Sequence, residues 1–306
     1  MLKPSPLVPG SPVRVVAPAS PFDRNKFERG ARAIEEMGLT LEIPDDVYAR
    51  TDYLAGEDPH RGDALVAALE DPNVTAIWCA RGGFGATRLL PRLAAARPSG
   101  PKLLIGFSDI SALIALWFAR FGMTAIHGPV ITSLADEPEE SRAHLWRLLS
   151  GAGRGLSCEL HAGYHGPAIE GTLYASNLSL LAHLVGTPFL PDLSGCIVAL
   201  EDVGERPYRL DRLLTHLKQS NIFVGAAALL LGTFHDCDER DGSILAEQGL
   251  SRGLQGVTVP VLRGLRVGHS APNFALPVGV RARVYGAELS ILEEPTDTDA
   301  PAHGPR

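Results

Sequence analysis

At 306 residues and 45% hydrophobic content, the chain can bury a large core and is long enough for two domains. Its 28 Lys and Arg against 35 Asp and Glu leave a formal charge of −7, and the basic residues form no run, which argues against a nucleic-acid partner. Residues 1–20 are interrupted by prolines and lack the apolar core of a secretory signal, while the longest apolar stretch, 223–231, is about half of the ~20 residues a membrane helix requires.

The expectation is a soluble, unexported, cytoplasmic protein that spans no membrane. Cys79, Cys158, Cys196 and Cys237 are far apart and form no Cys-x-x-Cys pair, so reduced thiols are the simplest reading and neither a zinc ribbon nor a redox motif is supported.

In chain order, 13–17 is a β-branched run followed by a helical pattern over 23–37 that stops at Gly38. Residues 64–70 read as helix, 74–80 as a buried strand, 86–95 as helix, and 103–105 as a strand that leads into a helix after Ser108. This alternation predicts an α/β fold in which 1–150 form an open, mostly parallel sheet flanked by helices. Ligands of such sheets bind beyond the carboxyl ends of the strands, the rim where Arg81 and Ser108 fall. The glycine-rich stretch from Gly151 to Gly155 opens a linker over 151–165. Strands at 197–200, 224–231, 257–262 and 278–284, with helices at 177–184 and 207–218, predict a strand-rich, mixed α/β C-terminal domain over 166–292. The polar tail, 293–306, reads as disordered.

Four constellations can carry chemistry. In Leu103-Leu104-Ile105-Gly106-Phe107-Ser108-Asp109 a strand turns sharply into a helix, which makes Ser108 either a nucleophile beside free backbone N–H groups or an N-cap. Ile110 stands where the usual hydrolase elbow carries a second glycine. Arg81-Gly82-Gly83-Phe84-Gly85 follows a strand and precedes a helix; it fits neither the dinucleotide fingerprint nor the P-loop. It is an oxyanion donor or carboxylate cradle on one reading and an ordinary tight turn on the other. Leu200-Glu201-Asp202-Val203-Gly204-Glu205 ends an apolar strand in acids, which either orient a histidine or form a solvated loop. His269, flanked by Gly268, is an exposed loop residue or a general base. His161 with His165, and His235-Asp236-Cys237-Asp238, lack the ligands for zinc, so no metal and no cofactor is expected.

Taken together, these segments resemble the LD-carboxypeptidase family of serine peptidases. The blocks that carry the resemblance, in order, are Ala80-Arg81-Gly82-Gly83-Phe84-Gly85, Ile105-Gly106-Phe107-Ser108-Asp109, His127-Gly128-Pro129, Asn177-Leu178-Ser179-Leu180-Leu181 with Gly186-Thr187-Pro188, Leu200-Glu201-Asp202-Val203, and Gly268-His269 followed by Asn273 and Leu276-Pro277-Val278-Gly279. The resemblance implies a Ser-Glu-His triad of Ser108, Glu201 and His269, with Asp202 and Glu205 as rivals for the acid. It also implies an oxyanion hole from the N–H groups of Asp109 and Gly83. Arg81 and Asn177 are expected to bind substrate, Arg81 as a fork on the terminal carboxylate, although Arg81 can equally brace its loop. Ala175-Ser176 departs from the Gly-Gly common before the asparagine.

The implied activity is hydrolysis of the amide before a C-terminal D-amino acid, releasing D-alanine from a murein tetrapeptide in cell-wall recycling, by a homodimer. A peptidyl-nucleotide amide hydrolase of the microcin C type is the alternative within the family, and a non-catalytic small-molecule binding protein the alternative outside it.

Overall fold

Two β-sheets organise the molecule, and the computed structural model describes residues 1–300, apart from the side chains at 162 and 163. The first sheet takes β1 (Pro12–Val16), β2 (Thr40–Glu42), β3 (Ala76–Cys79), β4 (Leu103–Gly106) and β5 (Ala125–His127). All of these pair in parallel. The second takes β6 (Ser157–Asn177), β7 (Cys196–Val203), β8 (Ala228–His235) and β9 (Val261–Arg263), again in parallel. Two C-terminal strands then diverge: β10 (Leu276–Val278) closes the first sheet antiparallel to β5, and β11 (Arg281–Ile291) closes the second antiparallel to β6. The spatial orders are β10-β5-β4-β3-β1-β2 and β11-β6-β7-β8-β9. Both halves are thus mixed α/β, as the alternation of elements predicts.

Strands β3 and β4 are buried along their whole length. A strand covered by helices on both faces reads as a continuous apolar run rather than an alternating one. The flanking helix Arg24–Glu36 starts where Asp23 accepts a hydrogen bond from the Lys26 N–H, satisfying one of the free donors of the first turn.

The structure corrects several expectations. The strand expected at 278–284 is not one strand: Gly279, at φ +90°, turns the chain so that its two ends join different sheets. The sheets therefore do not divide the chain into contiguous halves. The linker expected over 151–165 gives way at Ser157 to β6, whose start pairs with the end of β11. The strand expected at 224–231 begins only at Ala228, because Gly225 holds a turn at φ +82°. Part of the expected disordered tail is tied down: the Thr124 hydroxyl donates to the Pro295 carbonyl and the Asp297 N–H to the Pro4 carbonyl. The remainder of that expectation, 301–306, lies outside the described residues.

Candidate active site

The carboxyl end of β4 delivers Ser108 to the rim of the first sheet. Phe107 is fully extended (φ −151°, ψ −170°), and Ser108 then flips to φ +62° before a short 3-10 turn, Ser108–Ile110, runs into the helix Ser111–Leu116. A non-glycine residue in the left-handed region is strained by about 1–3 kcal/mol and persists only where its surroundings impose it. The N-cap position belongs to Phe107, and no side chain caps the turn. The capping alternative for Ser108 is therefore not realised; the hydroxyl is half-exposed at the rim, and among the described residues it makes no hydrogen bond.

The glycine turn after β3 packs directly on this serine. A Cβ at Gly82 would stand 2.9 Å from Ser108 Cβ and 3.1 Å from its Oγ, so only glycine lets the backbone come this close. Ser20 staples the turn from the other side: its N–H donates to the Gly82 carbonyl at 3.2 Å, and its hydroxyl accepts from the Phe84 N–H at 3.1 Å. Among the described residues, neither the Gly83 nor the Asp109 N–H has a protein acceptor.

The second sheet supplies the acid and the imidazole. Glu201 lies near the end of β7, 1% exposed, and its Oε2 is 2.7 Å from His269 Nδ1. A carboxylate can only accept, so Nδ1 carries the proton and Nε2 presents a lone pair. The other oxygen, Oε1, accepts from Asn177 Nδ2 at 3.3 Å. The His269 ring lies 4.6 Å from that of Phe107, which places the imidazole over the residue preceding Ser108. Gly268, at φ +131°, has no room for a side chain: a Cβ would stand 2.9 Å from Glu201 Oε2 and 2.4 Å from the Thr233 hydroxyl.

The rival acids are engaged elsewhere. Asp202 accepts from the Ser179 N–H and hydroxyl, from Asn177 Nδ2 and from the Val203 N–H; it serves the start of the helix Leu178–Leu184. Glu205 forms an ion pair with Arg209. Asn177, expected to touch substrate, is buried, with its amide on Glu201 and Asp202 and its Oδ1 capping the Leu180 N–H. No polar group of its side chain is left over for a ligand. Its own N–H donates to the Ser111 hydroxyl, so the helix behind Ser108 and the strand beside Glu201 are joined by one buried hydrogen bond.

Three residues shape the site from behind. Asp109 is buried, its Oδ2 accepting from the Ala86 N–H at 2.8 Å. Burial pushes its carboxyl up to about 6, against the pull of that hydrogen bond and of Arg61. Arg61, absent from the sequence reading, is fully buried and donates to the carbonyls of Gly56, Pro18 and Gly85 and to Asp58. One guanidinium thereby ties together three loops of the rim. An arginine in the helix Asp58–Glu70 gives no sign of burial in sequence, since such residues are ordinarily solvated. His127, at the end of β5, is also fully buried; its Nε2 is 3.8 Å from Glu201 Oε1, and neither ring nitrogen has a hydrogen-bond partner. Burial, reinforced by His269, holds its ring neutral down to about 3. Arg81 is exposed, and its guanidinium donates to the Pro21 carbonyl, the bracing role.

Among the described residues, no group of three or more His, Cys, Asp or Glu is placed to hold a metal ion, and no helix is long and apolar enough to cross a membrane. The four cysteines are buried free thiols.

Comparison with known proteins matches residues 13–128 to the LD-carboxypeptidase N-terminal domain and 170–284 to the LD-carboxypeptidase C-terminal domain. The murein tetrapeptide carboxypeptidase of Pseudomonas aeruginosa is 38% identical, over 90% of this chain and 94% of its own length. A crystal structure of the muramoyltetrapeptide carboxypeptidase from Oxalobacter formigenes superposes with a TM-score of 0.81 at 29% identity, covering 93% of this chain and all of that one. The wild-type microcin C7 self-immunity protein MccF, at 23% identity and a TM-score of 0.84 over 97% of this chain and all of its own, shares the fold.

Proposed function

The chain belongs to the LD-carboxypeptidase family, and from that premise we propose that it hydrolyses the amide bond preceding a C-terminal D-amino acid, releasing D-alanine from a murein tetrapeptide. The observation that carries the reading is the short Glu201–His269 contact at the rim where Ser108 stands. It fixes the imidazole tautomer whose Nε2 can accept the serine proton.

In this mechanism Ser108 Oγ attacks the scissile carbonyl carbon while its proton passes to His269 Nε2. The tetrahedral oxyanion is met by the N–H groups of Gly83 and Asp109, preorganised donors of a kind commonly worth about 100-fold to 1000-fold each in turnover. Collapse breaks the C–N bond as His269 returns the proton to the leaving amine, and D-alanine departs. Water, deprotonated by His269, then attacks the acyl-enzyme and regenerates Ser108. Glu201 orients the ring and stabilises the imidazolium in both half-reactions. Asn177 is a positioning residue in this scheme, acting through Glu201. The left-handed backbone of Ser108 is the strain that aims its hydroxyl off the end of the strand. A cytoplasmic recycling role and a homodimeric state complete the reading.

The test is mass-spectrometric detection of D-alanine release from murein tetrapeptide by the wild type beside Ser108→Ala. Release by the wild type that is lost in the variant supports both reaction and nucleophile. A folded wild type that releases no D-alanine but cleaves a peptidyl-nucleotide amide moves the assignment to that branch of the family.

A further inference from the structure

Beside the glycine turn, the loops after β1, β2 and β3 enclose a cavity of about 560 Å³ lined by Arg24, Arg50 and Arg81, with Tyr48, Phe22 and Asp23. Among the described residues none of the three guanidinium groups is paired with a carboxylate. Arg24 lies 4.2 Å over the Tyr48 ring and Arg81 donates to the Pro21 carbonyl. Asp23, the single acid in the lining, accepts from the Lys26 N–H at the start of its own helix. Three exposed arginines with no carboxylate partner among the described residues line one hollow, in a chain whose formal charge is −7, and such a lining suits an anion. The guanidinium fork matches a carboxylate in two parallel hydrogen bonds.

The cavity adjoins the loops that pack on Ser108. Gly82 packs on Ser108, Ser20 is bonded to Gly82 and Phe84, and the next residue, Pro21, holds Arg81. Its distance from Ser108 follows from the sheet order, in which β3 and β1 succeed β4. Two strand spacings put the cavity about 10 Å along the rim. The terminal carboxylate of a substrate lies one residue beyond the scissile bond, about 3.5 Å away, and cannot reach it. A group about 10 Å from that bond can, and in a carboxypeptidase substrate such a group lies on the acyl side, at the second residue where that residue is joined through a longer side-chain linkage.

Resting on the proposed carboxypeptidase reading, we infer that this cavity is an anion subsite in which Arg24, Arg50 and Arg81 receive a carboxylate of the acyl portion of the peptide, carried on the second residue from the scissile bond. The terminal-carboxylate role expected of Arg81 is replaced by this one. Binding through the subsite makes the enzyme selective for peptides whose acyl-side carboxylate is free over those in which it is amidated.

The test separates this inference from the reaction itself. Calorimetric titration of the Ser108→Ala protein compares an alanyl-γ-glutamyl-diamino acid peptide ending in D-alanine with the same peptide carrying a glutamyl α-carboxamide. The free carboxylate is expected to bind about 10-fold tighter or better, the worth of a charge-assisted pair. Arg50→Gln or Arg24→Gln, introduced into Ser108→Ala, is expected to abolish the difference between the two peptides. Equal affinity for both peptides, no binding of either, or a preference that survives both arginine substitutions overturns the subsite. Selective, arginine-dependent binding together with failure of the wild type to release D-alanine would instead retain the subsite and sink the proposed reaction.

Discussion

His269 donates through Nδ1 to Glu201 Oε2 at 2.7 Å across 68 positions of sequence. The bond decides which ring nitrogen of His269 is left as the acceptor, so its chemistry is testable apart from its packing. Glu201→Gln can offer its amide N–H to Nδ1 and thereby impose the wrong tautomer. In the mechanism proposed above, turnover should fall by about 1000-fold or more, with little change in melting temperature. Adding His269→Ala to Glu201→Gln should cost hardly more than His269→Ala alone, because the two act as a unit. Additive losses in kcat would contradict the coupling.

Ser108 holds a left-handed backbone at φ +62°, a conformation that costs stability in any residue with a Cβ. Ser108→Gly is expected to abolish hydrolysis and to stabilise the fold by about 1 kcal/mol. Ser108→Ala, which keeps the Cβ and hence the strain, should be as inactive with unchanged stability. Denaturant unfolding of the three proteins ranks them, and a glycine variant weaker than wild type would refute the strain argument.

Gly268→Ala places a methyl group 2.4 Å from the Thr233 hydroxyl and 2.9 Å from Glu201 Oε2, at φ +131°. Destabilisation of about 1–3 kcal/mol is expected from the backbone alone. Displacement of the neighbouring imidazole should lower kcat by about 100-fold, an effect that a crystal structure of the variant would register as a lengthened Glu201–His269 contact.

His127 is buried and neutral, its proton affinity depressed to about 3, first by burial and then by His269. The unfolded chain takes up a proton near the ordinary histidine value of about 6.5. A group with a depressed folded value stabilises above the unfolded one, so this contribution is lost as pH falls from about 6.5 towards 3. His127→Phe removes the titration. Between about pH 7.5 and pH 4.5 the wild type should lose about 2–3 kcal/mol relative to the variant. Asp109, with a raised value of about 6, titrates with the opposite sign in both proteins and cancels from the comparison. Parallel stability curves would show that His127 is protonated in the folded state.

Arg61 binds three loop carbonyls and Asp58 from a fully buried position. Arg61→Met leaves those acceptors unsatisfied and should destabilise by about 2–4 kcal/mol. Arg61→Lys should not restore stability, since an ammonium group cannot reproduce the geometry of the fork. Chemical denaturation of both variants decides it.

Much of the first sheet was legible because β1 is a β-branched run and β3 and β4 are short apolar runs, each followed by a helical pattern. The helix at 23–37 is an example: Asp23 caps it and Gly38 ends it. Strand β6 was not legible in sequence, since His161, Gly166 and Pro167 break the apolar pattern over its first half. That stretch is a strand because β11 pairs with it, which is information held elsewhere in the chain. The split at Gly279 was hidden for a related reason: Val278, Val280, Ala282 and Val284 alternate like one strand, and such a pattern does not say which of two sheets a strand joins.

Sequence by itself determined the alternation of strands and helices, the sharp turn at Ser108, and, through six ordered motifs, the family. These are local properties, written in periodicity, glycine placement and short spacings. Tertiary structure alone decided that Asp202 and Glu205 are engaged away from His269, that Asn177 is held by the two acids, and that Arg61 lies buried under the rim. It also decided that Arg24, Arg50 and Arg81 share one cavity. Each depends on the direction a side chain takes after the chain has crossed between sheets, and neighbouring acids of like chemistry differ in sequence only by that unseen direction.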